Sequence, residues 1–482
     1  MKRLPVLRLL AIITGGVLFF MIPALVTAIV QGESAMVRAF LIPLAPGLVL
    51  VVSALIFIPK KNLGLRPRDG ILLVFMSWIL ASLVGSLPYF LSGLDVHFTD
   101  AFFESTSGFT ATGATTFRDV EVLPRSVLLW RSTTHWAGGM GFVVLSVALL
   151  PLLGIGGFQL IKAEIPGPEK DSKITPRVAE MAKILWLVYC SFTVILLLLY
   201  RLGGMDWFDA VCNSFVIIAT GGPCTKNAGF AFYHSPFIEW VTAIFMIFGA
   251  LNFNLYYRIV RGRFREFVDN TEIRAFFAIL IVGTAIITLN ILPKYGSFGQ
   301  ALRLGAFEMS AYLSSTGISL TDYTAWPSLS QGVLFCLMFV GGCSASTAGG
   351  IKIIRWTVLF KQAGNELRRI LYPQGVFSIQ LNRKVGRKDV VYGVAGFIFL
   401  YFTVAAFATL VTAAAGYDLF SSFITSLSMI GNIGNGFGVI SPGHSYSDFP
   451  GYLKLLYSLL MIGGRLELWG VFVLLMPGYW RS

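Results

Sequence analysis

Charged residues are scarce in this chain: Asp, Glu, Lys and Arg make up only 13% of its 482 residues, whereas hydrophobic residues make up 56%. Soluble domains carry about 25% charged residues, so an ordinary soluble globular protein is excluded. Apolar runs of about 20 residues, long enough to cross a hydrocarbon core, recur along the chain. They predict ten membrane spans, at residues 10–30, 37–58, 71–92, 127–153, 182–202, 236–257, 275–293, 330–360, 390–415 and 452–478.

Groups that bind metals or perform nucleophilic catalysis are also few. The five cysteines form no C-x-x-C pair, and the four histidines stand singly at His97, His135, His234 and His444. No cluster of His, Asp, Glu or Cys and no Ser/Lys pair falls within a predicted span, and no Gly-rich phosphate loop is present. These absences argue against a membrane-embedded enzyme. They also predict no organic cofactor in this chain, so that any nucleotide sensing would belong to a partner.

The net charge of +13 is unevenly distributed, and in a membrane protein this indicates topology rather than binding to nucleic acid. Lys and Arg gather in alternate loops, at residues 2–8, 60–68, 162–177, 258–265 and 368–388. By the positive-inside rule these loops face the cytoplasm. Both termini are therefore predicted to be cytoplasmic. The basic segment 361–390 could be a docking surface for a cytosolic partner, or it could bind anionic lipid headgroups.

Four polar, glycine-containing hairpins separate the later spans. The four hairpins can be aligned with one another on one glycine each. These four positions, hereafter called the registered glycines, are Gly113, Gly222, Gly317 and Gly434. A polar residue stands nine positions before each of these, namely Glu104, Asn213, Glu308 and Thr425. The intervening residues suffice for about two helical turns, which predicts a short helix followed by an extended segment. In the fourth hairpin Gly431 could take the place of Gly434 in the register.

The predicted fold class is an all-α polytopic membrane protein with an internal fourfold repeat. Residues 1–68 would form two leading transmembrane helices. Four helix, pore-loop, helix repeats would follow at 69–160, 161–265, 266–370 and 371–482. Irregular backbone at membrane depth is tolerated only where protein surrounds it or where it lines water. Four hairpins converging on one axis would meet that condition.

Rings of backbone carbonyls can replace the hydration shell of a monovalent cation. Glycine at the registered position lets backbones approach each other without side-chain obstruction. The alternative is that the hairpins are external turns rich in small residues. The candidate ion-binding carbonyls belong to Thr110, Ala111, Thr112, Gly113, Ala219, Thr220, Gly221, Gly222, Ser314, Ser315, Thr316, Gly317, Gly431, Asn432, Ile433 and Gly434.

Several segments resemble the TrkH-type subunits of the Trk/Ktr/HKT superfamily of potassium transporters. These segments are "DAFFESTSGFTATGATTF", "WRSTTHWAGGMGFVVLSVALLP", "IATGG", "GGCSASTAGGIK", "GNIGNGFG" and "GGRLELWG". The resemblance implies a single-chain pseudo-tetramer around one pore in the bacterial cytoplasmic membrane. Potassium would be the permeant ion, because glycine rather than serine stands at the first filter position, Gly113. Pro223, Cys224 and Asn435 depart from the family pattern beside the registered glycines, which puts filter rigidity and conductance in doubt.

The resemblance also implies partners and regulation. Such subunits form homodimers with two separate pores, and a cytosolic ring of nucleotide-binding subunits that sense ATP/ADP or NAD controls them. The function it implies is potassium uptake. Sodium- or proton-coupled symport is the alternative, although no intramembrane Asp/Glu relay of the kind used in proton coupling is evident. A membrane-embedded enzyme is a more distant alternative.

Two features of the later spans are candidate gating elements. Arg465 stands about halfway along the last predicted span, where a guanidinium is costly, so it should face the pore or a wet crevice. It could be an electrostatic barrier to cations, or it could snorkel toward the membrane surface or make a structural bond to hairpin carbonyls. The ten residues 341–350 are all Gly, Ala, Ser, Thr or Cys, which disfavours a helix but also matches small-xxx-small packing at Gly342, Ser346 and Gly350.

The resemblance favours an intramembrane loop that blocks the pore beneath the filter, with Lys352 lying toward the cytosol. The candidate gating residues are Arg465, Gly341, Gly342, Ser344, Ser346, Thr347, Gly349, Gly350 and Lys352. Five outer acids could concentrate cations at the mouth, namely Asp95, Asp100, Asp206, Asp209 and Asp418. For Asp100 and Asp209, capping of the short helices is an equal alternative.

Overall fold

The computed structural model describes residues 3–58, 67–144, 174–382, 384–385 and 388–480. Several residues of the predicted cytoplasmic loops lie outside this part, including 59–66, 162–173, Arg383, Arg387 and Arg481. The predicted repeat boundary at 160/161 and the end of the span at 127–153 also lie outside it. The division into repeats at 68/69, 265/266 and 370/371 stays a prediction.

The predicted all-α architecture is confirmed in the described residues. Their only strands are Gln380–Leu381 and Lys384–Val385, which form one short antiparallel pair. The helices are Arg3–Val30, Ser34–Phe57, Pro67–Phe90, Phe98–Thr110, Arg125–Val144, Ile174–Leu202, Trp207–Ile218, Pro236–Ala250, Phe253–Val260, Phe264–Val268, Thr271–Tyr295, Phe298–Leu313, Ser328–Leu337, Ile353–Leu371, Lys388–Ala414, Leu419–Gly431, Gly451–Arg465, Trp469–Leu475 and Pro477–Trp480. Six are long and apolar enough to cross a membrane, or eight if each of two bent pairs counts as one span.

Three of the predicted continuous spans are interrupted. The span at 236–257 bends by 93° between Pro236–Ala250 and Phe253–Val260, and the last span bends by 113° after Gly451–Arg465. The span at 330–360 is non-helical from 338 to 352. Arg465 therefore ends a helix at a break, whereas the sequence predicted it halfway along an unbroken span. Hydropathy could not reveal the two bends, because the residues on both sides of each remain apolar, whereas the small residues 341–350 had already indicated the third interruption.

Each hairpin contains the predicted short helix, hereafter called the pore helix. The pore helices are Phe98–Thr110, Trp207–Ile218, Phe298–Leu313 and Leu419–Gly431. Asp206 and Asp418 cap the second and fourth of them by accepting backbone N–H groups. The N-caps of the first and third, His97 and Ser297, make no side-chain cap bond. The capping role considered for Asp100 and Asp209 is therefore wrong, since neither occupies an N-cap position.

Candidate ion pathway

The extended segments after the four pore helices share one backbone conformation. A left-handed residue stands two positions before each registered glycine, with φ of 52° at Ala111, 54° at Thr220, 53° at Ser315 and 52° at Asn432. The registered glycines themselves have positive φ: 86° at Gly113, 85° at Gly222, 66° at Gly317 and 83° at Gly434. L-residues rarely adopt such angles, so glycine is favoured there. The match at Asn432 and Gly434 selects Gly434 rather than Gly431 as the fourth member of the register.

The registered glycines contact one another's hairpins in a closed ring. A Cβ added to Gly113 would collide with the carbonyl oxygen of Gly221, the residue just before the glycine of the second hairpin. The other three registered glycines make the same close approach to a carbonyl oxygen of the next hairpin. Gly222 lies against the carbonyl of Thr316, Gly317 against that of Ile433, and Gly434 against that of Thr112, which closes the ring. Residues far apart in sequence are thus brought to one axis in the order of the repeats. Any side chain at these positions would have to displace backbone of the neighbouring hairpin.

Two buried carboxylates hold the backbone just beyond this ring. Glu104 accepts the N–H of Thr116 at 2.9 Å and forms a buried ion pair with Arg131, whose Nε lies 2.7 Å from Oε1. Glu308 accepts the N–H of Leu320 at 2.9 Å. Each carboxylate thus fixes the residue three positions after its registered glycine. The polar residue nine positions before the glycine has a structural role in these two repeats, and Arg131 is a partner that sequence patterns did not indicate.

A cavity of about 370 Å³ opens above the ring, and its lining includes all four registered glycines. Its charged lining residues are Arg118, Arg131, Lys226 and Asp322, together with His444. None of the five acids predicted to crowd the mouth lines this cavity. Their negative charge is used elsewhere in the described residues.

Besides Asp206, three of those acids have identifiable partners. Asp100 pairs with Lys454 at 2.5 Å. Asp209 accepts from Tyr233 Oη at 2.9 Å and lies 3.7 Å from Nζ of Lys226, which lines the cavity. Hydrogen bonds from the side chain and the backbone N–H of Ser421 lower the pKa of the Asp418 carboxyl below its ordinary value. These acids therefore interact with neighbouring protein groups.

The non-helical segment 338–352, hereafter called the intramembrane loop, lies directly beneath the hairpins. The Thr347 hydroxyl lies 2.9 Å from the carbonyl oxygen of Gly249 and 3.3 Å from the hydroxyl of Thr220. Gly349 N–H donates to Ser315 Oγ at 2.5 Å, and a Cβ on Gly349 would collide with the carbonyl oxygen of Gly431. The loop thus contacts three of the four hairpins, which excludes the alternative of a small-residue face on a continuous helix.

Other candidate gating residues shape the loop itself. Gly341 N–H donates to the carbonyl of Ile351 at 2.9 Å, and Ser346 Oγ donates to that of Cys343 at 2.6 Å. A Cβ on Gly342 would lie 2.6 Å from that of Ala348, and Gly350 has a φ of 70°. The loop is therefore folded back on itself and held by hydrogen bonds between its own residues.

One residue that the sequence did not indicate holds both sides of the loop. Glu272 Oε1 accepts Ser344 N–H at 2.7 Å, Ser344 Oγ at 3.0 Å and Ile354 N–H at 3.3 Å. Glu272 is buried in the first turn of the helix Thr271–Tyr295. Its position at a helix start resembles ordinary capping chemistry, and no sequence signal links it to a loop about 70 residues later.

Two buried cations lie beside the loop. Arg465 Nη1 donates to the Thr347 carbonyl at 2.7 Å, and Lys352 Nζ donates to the Ala348 carbonyl. Both side chains line a cavity of only about 10 Å³, roughly the space of one water. Lys352 is 4% exposed, and its position toward the cytosol stays a prediction. Glu467, which also lines this cavity, pairs with Arg355 at 2.5 Å.

Comparison with known proteins matches this architecture to a family of transporters. A family model described as "TrkH: Cation transport protein" matches residues 46–480. The Trk system potassium uptake protein TrkH of Escherichia coli is 36% identical over 486 residues, covering 99% of this chain and 98% of that protein. The Trk system potassium uptake protein TrkG of Escherichia coli is 37% identical over 431 residues, covering 88% of this chain and 87% of that protein.

A solved structure shares the whole fold. The crystal structure of the potassium transporter TrkH from Vibrio parahaemolyticus has a TM-score of 0.90 and 31% sequence identity, with all of both chains covered. The relatives' names describe transporters, not enzymes. The chain therefore belongs to the TrkH family of cation transport proteins.

Proposed function

We propose that this protein takes up potassium across the bacterial cytoplasmic membrane through carbonyl groups of the four hairpins. The observation that carries the proposal is the closed ring in which each registered glycine lies against the carbonyl that precedes the next one. Carbonyl oxygens at such close approach can replace the hydration shell of a potassium ion. The relatives named as potassium uptake proteins support the same substrate.

The inner residues of the hairpins and the intramembrane loop would form the gate. The loop contacts Thr220, Ser315 and Gly431 from below, so an ion leaving the ring inward would meet it. Arg465 adds a positive charge at the same level and holds the loop through Thr347. Opening would require the loop to leave these contacts. Ion coupling is not needed for this mechanism, and no described contact favours it.

The native assembly would be a homodimer with one pore in each chain, and both termini would be cytoplasmic. A cytosolic subunit that binds ATP/ADP or NAD would control the gate. The description of the relatives as members of a "Trk system" supports the presence of further components. The exposed basic residues Arg368 and Arg369, on the helix that follows the loop, are suitable contacts for such a subunit or for anionic lipid.

The test compares potassium and sodium flux into liposomes for the native protein and Gly113→Ser. Serine at φ 86° would be strained, and its Cβ would push on the Gly221 carbonyl. We expect a native preference for potassium and a reduced preference in the variant. Gly364→Ser is the matched control, because a Cβ at Gly364 meets no atom within 4 Å. A native protein without potassium preference, or a variant with unchanged selectivity, would disprove the assignment.

A further inference from the structure

The fourth hairpin differs from the first and third in how its outer segment is held. In those two, the carboxylates of Glu104 and Glu308 accept backbone N–H groups. A carboxylate bonded to N–H groups leaves the neighbouring carbonyl oxygens available to other partners. Thr425 occupies the equivalent position in the fourth repeat, and its hydroxyl donates to the carbonyl of Ser421 in its own helix at 2.7 Å. The fourth hairpin therefore has no carboxylate at this position.

Side-chain hydroxyls bind the carbonyl groups of this hairpin instead. Tyr446 Oη donates to the carbonyl oxygen of the registered glycine Gly434 at 3.0 Å. The next two carbonyls are bound in the same way, Asn435 by Ser428 Oγ at 3.1 Å and Gly436 by Tyr323 Oη at 2.5 Å. Three consecutive carbonyl oxygens thus each have a hydroxyl donor.

The other three registered glycines lack this arrangement. Among the hydrogen bonds of the described residues, no side-chain donor reaches the carbonyl of Gly113, Gly222 or Gly317. The first and third hairpins are therefore held by carboxylates that accept their backbone N–H groups. The fourth hairpin is held by hydroxyl groups that donate to its backbone carbonyls.

The two tyrosine donors are themselves held in place. Tyr446 is 2% exposed, its N–H donates to the Thr115 carbonyl at 2.8 Å, and its ring stacks on Phe449 with centroids 5.4 Å apart. Tyr323 is fully buried and accepts a hydrogen bond from Tyr312 Oη at 2.5 Å. Buried hydroxyls in fixed positions lose little entropy on bonding, and a dry environment strengthens such bonds. This anchoring also gives the fourth hairpin rigidity where Asn435 departs from the family pattern.

We propose that Tyr446 weakens the Gly434 carbonyl as a ligand for the permeating ion, so that the outermost ring has three free carbonyl ligands and one that already accepts a hydrogen bond. This inference rests on the proposed function. A carbonyl bonded to a fixed neutral donor is a weaker ligand than a free one, because its lone-pair density is already shared. The outermost ion would be held loosely. Conduction requires sites that ions can leave as well as enter. An outer ring in which one carbonyl is weakened would favour rapid exchange of potassium ions with the cavity above it.

The decisive variant is Tyr446→Phe, which removes the hydroxyl and keeps the ring that packs on Phe103 and Phe449. With Gly434 released, we expect the potassium concentration for half-maximal uptake to fall about threefold or more, together with a lower maximal rate, because the ion binds more tightly and leaves more slowly. Tyr417→Phe is the matched control. Tyr417 also stacks on Phe449, but its hydroxyl donates to the Asp448 carbonyl in the outer loop.

The measurement is potassium uptake into proteoliposomes over a range of outside potassium concentrations. An unchanged or increased half-saturating concentration in Tyr446→Phe would overturn the proposal. If Tyr446→Phe does not fold, Tyr446→Met, a flexible apolar side chain without a hydroxyl, also releases the Gly434 carbonyl and should shift the half-saturating concentration in the same direction. A native protein without preference for potassium over sodium would instead refute the proposed function itself, whatever the variants do.

Discussion

Arg465 Nη1 lies 2.7 Å from the carbonyl oxygen of Thr347, so a buried guanidinium at the end of one helix holds the intramembrane loop. The two residues are 118 positions apart and belong to different predicted repeats. Thr347 is also bound through its hydroxyl to the carbonyl of Gly249. The loop is therefore held from two sides, and its displacement would break contacts with both.

Removal of the guanidinium should weaken the closed position of the loop. A hydrogen bond from a charged group contributes about 1.5–3 kcal/mol, which is roughly a 10- to 100-fold change in an equilibrium. Arg465→Ala should therefore raise potassium flux in liposomes that contain no partner subunit, by up to this factor. The exposed Arg369, which pairs with Glu366, provides the control Arg369→Ala. Equal flux in the two variants would show that Arg465 does not restrain the loop.

A side chain at Gly349 should force the loop away from the fourth hairpin. The added Cβ of Gly349→Ala would collide with the carbonyl oxygen of Gly431, whereas at Gly332, in the helix before the loop, a Cβ meets nothing within 4 Å. Gly349→Ala should raise basal potassium flux severalfold, and Gly332→Ala should leave it unchanged. The readout is flux per reconstituted protein. A Gly349→Ala protein with native flux would contradict the blocking role.

The two hairpin carboxylates should respond differently to neutralisation. Glu104→Gln leaves Arg131 buried without its anionic partner, and breaking a buried ion pair costs about 3–5 kcal/mol. Glu308 has no Lys or Arg within 4.0 Å among the described residues, and a glutamine oxygen can still accept the Leu320 N–H.

Thermal unfolding in detergent tests this difference. Glu104→Gln should lower the unfolding midpoint much more than Glu308→Gln, and it should also reduce potassium selectivity. A similar decrease in the unfolding midpoint of both variants would mean that the charge of Arg131 is compensated by another group.

The cap of the fourth pore helix should depend on pH. The pKa of Asp418 lies below its unfolded value, so its stabilising contribution is full above the ordinary carboxyl pKa of about 4 and is lost as the pH falls through the folded pKa. Asp418→Ala should lower the unfolding midpoint at pH 7. The difference in unfolding midpoint between this variant and the native protein should decrease as the pH falls from about 5 to about 3. Asp418→Asn is the control, since asparagine caps without titrating. A difference that does not vary with pH would contradict the cap assignment.

Local features of the fold were predictable from the sequence. Each pore helix and its following glycine depend on residues within one hairpin, so short-range spacing was enough to predict them, although the choice between Gly431 and Gly434 needed the backbone angles. Interruptions of the spans were not predictable in the same way. The break beside Arg465 and the bend after Ala250 occur within apolar sequence, where hydropathy does not change. The role of Glu272 was also hidden, because Ser344, whose N–H it accepts, stands about 70 residues later in the chain.

By itself, the sequence determined that the chain is a membrane protein with two leading helices and four glycine-containing hairpins, since bilayer thickness and hydrophobicity act on each segment separately. Only the tertiary structure decided which groups meet at the axis. Closure of the ring places Gly434 against Thr112, and it places Gly222 against Thr316. Such contacts join residues from different repeats, and they form only when all four hairpins are packed together.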